Sequence, residues 1–270
     1  MNKPISAFNY FGGKNALKLQ RFILDNLKKS PVQFHLVDLF CGSAAIALNY
    51  TESSSRTIND LNDDIYNFFR QLRDNPDALI TAIELTPHCR KEYESLNLFS
   101  ITDPIEKARA FFIRTVCSFG NTGALKKYNA WSYTVNDSRY KVSQSVARLL
   151  SKVENLTGVV EQLRHIQIEC KDYKTIISKY DSASTLFYVD PPYVKITRSG
   201  NISYKHELTN SEQIELCNIL NSIQGKYLLS GYANDFYESH LKYQSKKSIN
   251  NIQTNAHKRA EETVWANYQL

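Results

Sequence analysis

Short apolar runs that end in an acidic residue alternate with helical patterns near the start of this chain. HLVDLF (His35–Phe40) and RTIND (Arg56–Asp60) each predict a buried strand. SAAIALNY (Ser43–Tyr50) and DIYNFFRQLRDNP (Asp64–Pro76) predict the helices that follow, the first with Ser43 as its N-cap and the second stopped by proline. Strand–helix–strand–helix order with short links predicts a parallel α/β sheet.

Five further segments predict strands in the second half of the chain. They are HIQIEC (165–170), TLFYVD (185–190), KYLLSG (226–231), KKSINNI (246–252) and ETVWANY (262–268). The last two are placed to form a closing antiparallel hairpin. The total of seven strands is about the number in a full open sheet, so the predicted fold class is α/β with a Rossmann-like seven-stranded sheet.

The stretch between these two groups of strands has helical periodicity and no convincing buried strand. We therefore expect two parts: a sheet domain from residues 1–70 and 164–270, and a mainly helical insertion from residues 71–163. A polar, aromatic loop interrupts the insertion at Gly120–Lys141.

Composition excludes several classes of protein. Hydrophobic residues make up 42% of the chain, enough for a packed core. There is no apolar run of membrane-spanning length and no apolar signal-peptide core, so we expect a cytoplasmic protein without a membrane partner. The five cysteines form no Cys-x-x-Cys pair and the histidines are scattered, so no metal site is predicted.

Positive charge is concentrated in the expected insertion. Residues 107–152 contain nine lysines and arginines but one acid, Asp137, whereas the whole chain has a formal net charge of only +6. A one-sided segment of this length is either a solvated basic face or a surface for a polyanion.

Asp190-Pro191-Pro192-Tyr193 follows the apolar strand TLFYV, where open α/β sheets bind ligands. The prolines hold the turn extended. An aromatic amine is a poor nucleophile until its two N–H groups are bound by acceptors, and the Asp190 carboxylate and the Pro191 carbonyl supply two. Tyr193 offers a ring on which a flipped base stacks. The tetrapeptide therefore predicts amine methylation; the alternative is a structural turn.

Two other turns suggest a small-molecule site. Gly42, after the first strand, allows a ligand to approach the backbone. Asp60 ends the second strand, where an acid typically binds ribose hydroxyls or caps the next helix. Near the N-terminus, FNYFGGK places Lys14 where it can meet a carboxylate, although a plain turn is the alternative.

Taken together, these motifs resemble the DNA adenine-N6 methyltransferases of the D-P-P-Y class, which include Dam-type, phage and prophage enzymes. The resemblance runs in order through FNYFGGK, VDLFCGSAAIALN, INDLNDDIYNFFRQLRDNP, LTPHCRKEYE, FYVDPPYV, LSGY and ETVWANY. It implies a methyltransferase sheet with a target-recognition insertion, and S-adenosylmethionine as the cofactor. Ser43 and Ala44 stand where many relatives carry glycine.

The resemblance also implies a set of site residues. Those expected to hold the cofactor are Tyr10, Lys14 (near its methionine carboxylate), Asp38, Phe40, Gly42, Asp60, Asp172 and Tyr173, the last two flanking its adenine. Those expected around the target base are Asp190, Pro191, Pro192 and Tyr193.

The basic, aromatic loop is the predicted reader of the recognition site. We expect Lys126 and Lys127 to contact phosphate, and the remaining candidates to include base contacts. Those remaining residues are Asn129, Trp131, Arg139 and Lys141. The alternative is that Trp131 is buried in the core of the helices.

The predicted activity is therefore site-specific methylation of adenine N6 in double-stranded DNA. Methylation of cytosine N4, methylation of RNA adenine, and a catalytically silent DNA-binding relative are the alternatives. A restriction endonuclease partner is not evident in the sequence, and we expect a monomer or a weak dimer.

Overall fold

A computed structural model describes residues 4–10, 13–14, 16–121, 130–135, 138–139, 141–192, 205–253 and 259–270. The chain forms two compact units. The helical unit comprises Met1–Gly13 and Asn62–His165, and the sheet unit comprises Lys14–Leu61 and Ile166–Leu270. The expected roles of the two parts, with residues 71–163 as an insertion for target recognition, stay a prediction.

The sheet unit is built on one seven-stranded sheet. Its strands are β1 (His35–Asp38), β2 (Ser55–Asn59), β5 (Ile166–Glu169), β6 (Thr185–Val189), β7 (Lys226–Tyr232), β8 (Ser245–Gln253) and β9 (Arg259–Ala266). They lie in the order β5-β2-β1-β6-β7-β9-β8. The first five are parallel, and β9 runs antiparallel to both β7 and β8. The predicted Rossmann-like sheet of seven strands with a closing hairpin is confirmed.

This strand order positions the site. From β1 the chain continues outward to β2 and β5, and it then returns to place β6 on the other side of β1. In open α/β sheets ligands bind beyond the carboxyl ends of the strands at such a reversal. All five residues of β6 are buried, as expected for a central parallel strand covered on both faces.

The helices that cover the sheet in the described part of this unit are α1 (Leu17–Leu27), α8 (Tyr173–Tyr180), α9 (Asn210–Leu220) and α10 (Asp235–His240). The last three contribute Ile176, Leu216 and Tyr237 to a core shared with Phe187 and Trp265 of the sheet. A capping box starts α9: the Thr209 hydroxyl accepts from the Glu212 N–H, and the Glu212 carboxylate accepts from the Thr209 N–H.

The expected helix at Ser43–Tyr50 is wrong. The segment is a series of turns, with Gly42 at φ 49° and Ala44 at φ 53°. A right-handed helix cannot begin on backbone in the left-handed region, so the local helical pattern is overridden here.

The helical unit contains α2 (Asp63–Asp74), α3 (Pro76–Glu84), α4 (Arg90–Ser95), α5 (Pro104–Val116), α6 (Gln144–Glu154) and α7 (Leu156–Leu163). It also has a short antiparallel ladder of β3 (Ser138–Arg139) and β4 (Val142–Ser143), which the sequence did not predict. Phe8, Phe68, Phe69 and Phe111 pack ring against ring in its core. In the part of the chain that the structure describes, no helix is long and apolar enough to cross a membrane.

A substitution at Gly225 tests the packing that holds β6 and β7 together. A Cβ there would lie 2.7 Å from the Thr185 carbonyl oxygen, so Gly225→Ala should lower the free energy of unfolding by about 1–3 kcal/mol. Gly158→Ala is the matched control, because its Cβ would meet only the Ile5 side chain, at 3.7 Å. In the interior of α7 that change should stabilise the protein by about 0.5–1 kcal/mol. Urea denaturation measures both, and equal effects would contradict the packing described.

Candidate active site

Asp190 and Asp38 lie at the ends of neighbouring parallel strands. Asp190 directly follows β6, and Asp38 is the last residue of β1, where it pairs with Tyr188. Their position is the carboxyl edge of the sheet, at the point where the strand order reverses. The fold therefore brings two sequence-predicted acids to the expected ligand site.

A buried lysine holds Asp190 in place. The Lys14 ammonium lies 2.8 Å from Oδ1 of Asp190 and 3.0 Å from Oε1 of Glu262. The side chains of Lys14, Asp190 and Glu262 are 4%, 14% and 3% exposed. Burial alone lowers the pKa of Lys14, but the two carboxylates outweigh it, so the pKa is raised and the ammonium stays charged.

The Asp190 carboxylate is unusually basic. Burial raises its pKa to about 6, outweighing the ion pair with Lys14, and the charge of Glu262 adds to the rise. Ser230 donates a second hydrogen bond to the same oxygen, Oδ1, at 3.0 Å, and Tyr188 is hydrogen-bonded to Ser230 at 3.0 Å. Oδ1 is thus occupied by two donors of the protein, whereas Oδ2 has no hydrogen-bond donor among the described residues.

The turn after Asp190 is anchored from α9. The Gln213 side-chain amide donates to the Pro192 carbonyl at 2.6 Å, and the Tyr237 hydroxyl donates to the amide oxygen of Gln213 at 3.1 Å. Gln213 is completely buried. The Pro191-Pro192 turn is therefore fixed by its ring geometry and by a buried hydrogen bond. Tyr193 lies outside the described residues.

The carboxylate of Asp38 is buried, and the described residues satisfy only part of its hydrogen-bonding capacity. Its Oδ1 has no hydrogen-bond partner among the described residues, although the Ala47 N–H reaches the carboxylate. Burial raises the pKa of Asp38 well above its usual range, and the charges of Asp190 and Asp60 add to the rise. A buried acceptor with no donor is costly, and a bound ligand with a donor or positive charge would relieve that cost.

Asp60 shapes the turn after β1. Its Oδ2 accepts the Gly42 N–H at 3.0 Å, and the neighbouring Cys41 N–H donates to the Asn59 carbonyl at 2.8 Å. Asp60 is not the cap of α2, because the Asn62 side chain accepts the Asp64 N–H there. The alternative interpretation of Asp60 as a helix cap is therefore wrong.

Asn59 connects the turns at three strand ends. From the end of β2, its side-chain amide donates to the carbonyls of Leu39 and Lys171 and accepts the Lys171 N–H. Phe40 and Tyr173 lie on the same edge with ring centroids 5.8 Å apart. Asp172 caps α8 by accepting the Lys174 N–H at 2.9 Å. The predicted residues after β1, β2 and β5 are thus brought to one edge of the sheet unit.

Tyr10 belongs to the helical unit, where its hydroxyl accepts from the Asn62 side chain at 3.4 Å. In the same unit Trp131 is half-buried and stacks on Tyr133 with centroids 5.5 Å apart. The Arg90 guanidinium lies 4.5 Å from the Trp131 ring.

Lys141 has left-handed backbone, with φ 64°. Three predicted DNA contacts, Lys126, Lys127 and Asn129, lie outside the described residues, as does the side chain of Arg139.

Residues 10–260 match the family of D12 class N6 adenine-specific DNA methyltransferases. The chain belongs to this family. It is an adenine-specific DNA methyltransferase, so the family and activity predicted from the sequence are confirmed.

Individual relatives are distant. The Type II methyltransferase M.MjaIII of Methanocaldococcus jannaschii is 25% identical over 256 residues, which cover 84% of each chain. A DNA adenine methylase of Salmonella typhi is 24% identical, over 78% of this chain and 72% of that protein. Among solved structures, the rRNA methyltransferase aviRa from Streptomyces viridochromogenes is 12% identical with a TM-score of 0.41, over 98% of this chain and 88% of that one.

Sequence reasoning on this methyltransferase missed three residues of the site: Ser230 and Gln213, which contact the D-P-P-Y turn, and Glu262, which pairs with Lys14. Ser230 and Glu262 lie within LSGY and ETVWANY, the segments that resembled the family, so the resemblance was a signal for both. Gln213 had no signal, because an amide on a helix is ordinarily a solvated residue.

A substitution of Lys14 tests its two buried ion pairs. Lys14→Met leaves the carboxylates of Asp190 and Glu262 buried without their cation, which should cost about 3–5 kcal/mol of stability near pH 8. An acid whose folded pKa is raised destabilises the fold above that pKa, and the penalty is relieved as the pH falls. The loss should therefore shrink towards pH 6, near the pKa of Asp190. Urea denaturation at the two pH values measures this.

The matched control is Lys28→Met. Lys28 forms an exposed ion pair with Glu52 at 2.7 Å, and its loss should cost no more than about 1 kcal/mol at either pH. A Lys14 variant as stable as this control would contradict the buried site.

Proposed function

We propose that this adenine-specific methyltransferase uses S-adenosylmethionine to methylate double-stranded DNA at a specific site, with Asp190 as the catalytic residue that binds the target amine. The observation that carries the proposal is the asymmetry of the Asp190 carboxylate. Two donors of the protein bind Oδ1, and Oδ2 has none among the described residues. An acceptor held in this way is preorganised for an N–H donor that comes from outside the protein.

The proposed reaction needs little more from the protein than positioning. When bound, S-adenosylmethionine supplies an electrophilic methyl group and departs as a neutral thioether. Asp190 accepts one N–H of the adenine amine and the Pro191 carbonyl accepts the other, which draws the nitrogen lone pair out of the ring. The anchored Pro192 turn holds these acceptors in register. As the nitrogen gains positive charge the Asp190 carboxylate stabilises it, and the methylated amine then loses one proton to solvent.

The acids at the sheet edge fit a positively charged cofactor. S-adenosylmethionine carries an ammonium and a sulfonium, and the buried Asp38 Oδ1 has no donor in the part of the chain that the structure describes. We propose that Asp38, Phe40 and Gly42 lie along the methionine and ribose and that Asp60 accepts the ribose hydroxyls. Asp172 and Tyr173 are proposed to flank the adenine.

Lys14 is proposed to lie near the methionine carboxylate, in addition to its two carboxylate partners within the protein. Tyr10 remains a sequence-based prediction for the cofactor site, and Tyr193 remains one for stacking on the flipped base.

For the target, we propose that the basic loop at residues 120–141 reads the recognition site, supported by its charge and by the Trp131–Tyr133 stack. Sequencing of methylated bases in DNA from cells that express the protein identifies that site.

Asp190→Asn is the decisive test of the catalytic role. Asparagine keeps the shape but loses the charge that binds the amine, so methylation of duplex DNA should fall by about 10² or more. In the wild type, kcat/KM should fall as the pH drops through about 6, because protonation removes the acceptor. Transfer of labelled methyl groups from S-adenosylmethionine measures both.

The control for charge is Asp235→Asn on α10, which is exposed and should retain wild-type activity. Activity of the Asp190 variant within about tenfold of wild type, or about 1.4 kcal/mol of barrier, would rule out the catalytic role.

Asp60→Asn tests the cofactor site. Asparagine still offers an oxygen to the Gly42 N–H, so the turn should persist while the charge for the ribose is lost. Calorimetry should show S-adenosylmethionine binding weakened by about 1.5–3 kcal/mol. Affinity equal to that of Asp235→Asn would mean that the cofactor is placed wrongly.

A further inference from the structure

The first turn of α9 contacts both parts of the proposed site. Gln213 lies in this turn, and its side-chain amide donates to the Pro192 carbonyl at 2.6 Å. At the preceding residue, the Glu212 carbonyl accepts the hydroxyl of Tyr173 at 3.2 Å. Tyr173 starts α8, and its ring contacts that of Phe40 on the proposed cofactor side. Two consecutive residues of one helix therefore join the turn after β6 to a residue proposed to flank the cofactor.

This turn of α9 is held by its own cap and by the core beneath it. In the capping box, Thr209 and Glu212 each accept the backbone N–H of the other, which satisfies two donors at the start of the helix. One and two turns further along, Leu216 and Leu220 are buried in the core with Phe187 of β6. The start of α9 is thus a fixed support beside the strand that Asp190 follows.

The Gln213 amide has a buried partner for each of its two groups. A carbonyl can only accept, so the NH2 group faces Pro192 and the amide oxygen faces the Tyr237 hydroxyl, which donates to it at 3.1 Å. Tyr237 is 1% exposed, its ring packs against Trp265 with centroids 5.2 Å apart, and its N–H is bound by the Asn234 side chain. Tyr237 therefore sets the direction in which Gln213 presents its donor.

We propose that Gln213 is a positioning residue for methyl transfer, which keeps the turn after Asp190 in register with the cofactor side of the sheet. The inference rests on the proposed roles of Asp190 and the Pro191 carbonyl. Pro191 and Pro192 have no N–H, so the orientation of this turn depends on what binds its carbonyls. The Gln213 amide binds the second of these carbonyls, next to the one proposed to accept the target amine.

A positioning role has a specific kinetic signature. Without the amide, the two acceptors of the target amine are no longer held at one distance from the methyl donor, and small misplacements of reacting groups are costly. The contact between Tyr173 and α9 uses the backbone carbonyl of Glu212, so a change of the Gln213 side chain leaves it in place. Loss of Gln213 should therefore lower kcat, with little change in S-adenosylmethionine affinity or in KM for DNA.

Gln213→Leu tests the proposal, with Gln244→Leu as its matched control. Gln244 is an exposed glutamine of the same unit, just before β8, so the same substitution there should leave the kinetics of the wild type. For Gln213→Leu we expect a kcat about tenfold lower or more. Transfer of labelled methyl groups measures kcat and KM, and calorimetry measures the affinity for S-adenosylmethionine.

A double variant separates positioning from stability. Gln213→Leu alone leaves the buried Tyr237 hydroxyl without its acceptor, which destabilises the fold. Addition of Tyr237→Phe removes that hydroxyl, so the double variant should regain stability in urea denaturation. It should not regain kcat, because the Pro192 carbonyl still lacks its donor. A purely structural role would restore kcat together with stability.

Three results would overturn the inference. They are a kcat of folded Gln213→Leu equal to that of Gln244→Leu, a raised KM at unchanged kcat, and recovery of kcat in the double variant. If Gln213→Leu does not fold, the double variant decides. If neither folds, Tyr237→Phe decides, because it removes only the hydroxyl that orients the amide: a lower kcat at unchanged KM supports positioning, and wild-type kinetics refute it. An active Asp190→Asn would refute the proposed function itself, whereas an inactive Asp190→Asn beside a fully active Gln213→Leu would refute only this inference.

Discussion

The ammonium of Lys14, shared between the carboxylates of Asp190 and Glu262, is the interaction on which the site depends. Transfer of three charged side chains out of water is unfavourable unless they meet with good geometry. That requirement links the segment before α1, the turn after β6 and the antiparallel strand β9, which are far apart in sequence. The hairpin that closes the sheet therefore contributes to the position of Asp190 as well as completing the fold.

The same burial that makes these charges costly makes Asp190 a strong acceptor. Desolvation raises its pKa to about 6, which leaves it largely ionised at neutral pH but more basic than an exposed carboxylate. Ser230 and Lys14 occupy one oxygen, and Gln213 fixes the turn that follows. Orientation and basicity thus have one physical origin, a polar network enclosed in the carboxyl edge of a buried sheet.

Parallel strand ends explain why so many acids lie together. Asp38, Asp60 and Asp190 each follow or end a strand, and the reversal in strand order places β1 beside β6. Within the described ranges, Asp38 retains one oxygen that no donor reaches, which is costly for a buried acceptor. An edge with this excess of negative charge suits a cationic methyl donor and an amine that becomes positive during the reaction.

Much of the fold and part of the active site of this protein could be predicted from its sequence alone. Seven strands were predictable because short apolar runs with clear stops are a local signal, and the D-P-P-Y turn was recognisable because its chemistry lies in four consecutive residues. The tertiary structure decided the rest. Residues 43–50 are turns because Gly42 and Ala44 adopt left-handed backbone while the Gly42 N–H reaches Asp60, a contact that no local helical pattern contains. Glu262 and Gln213 became part of the site only through strand pairing and helix packing, because the partner of a buried polar group is set by distances in space and not by spacing in the chain.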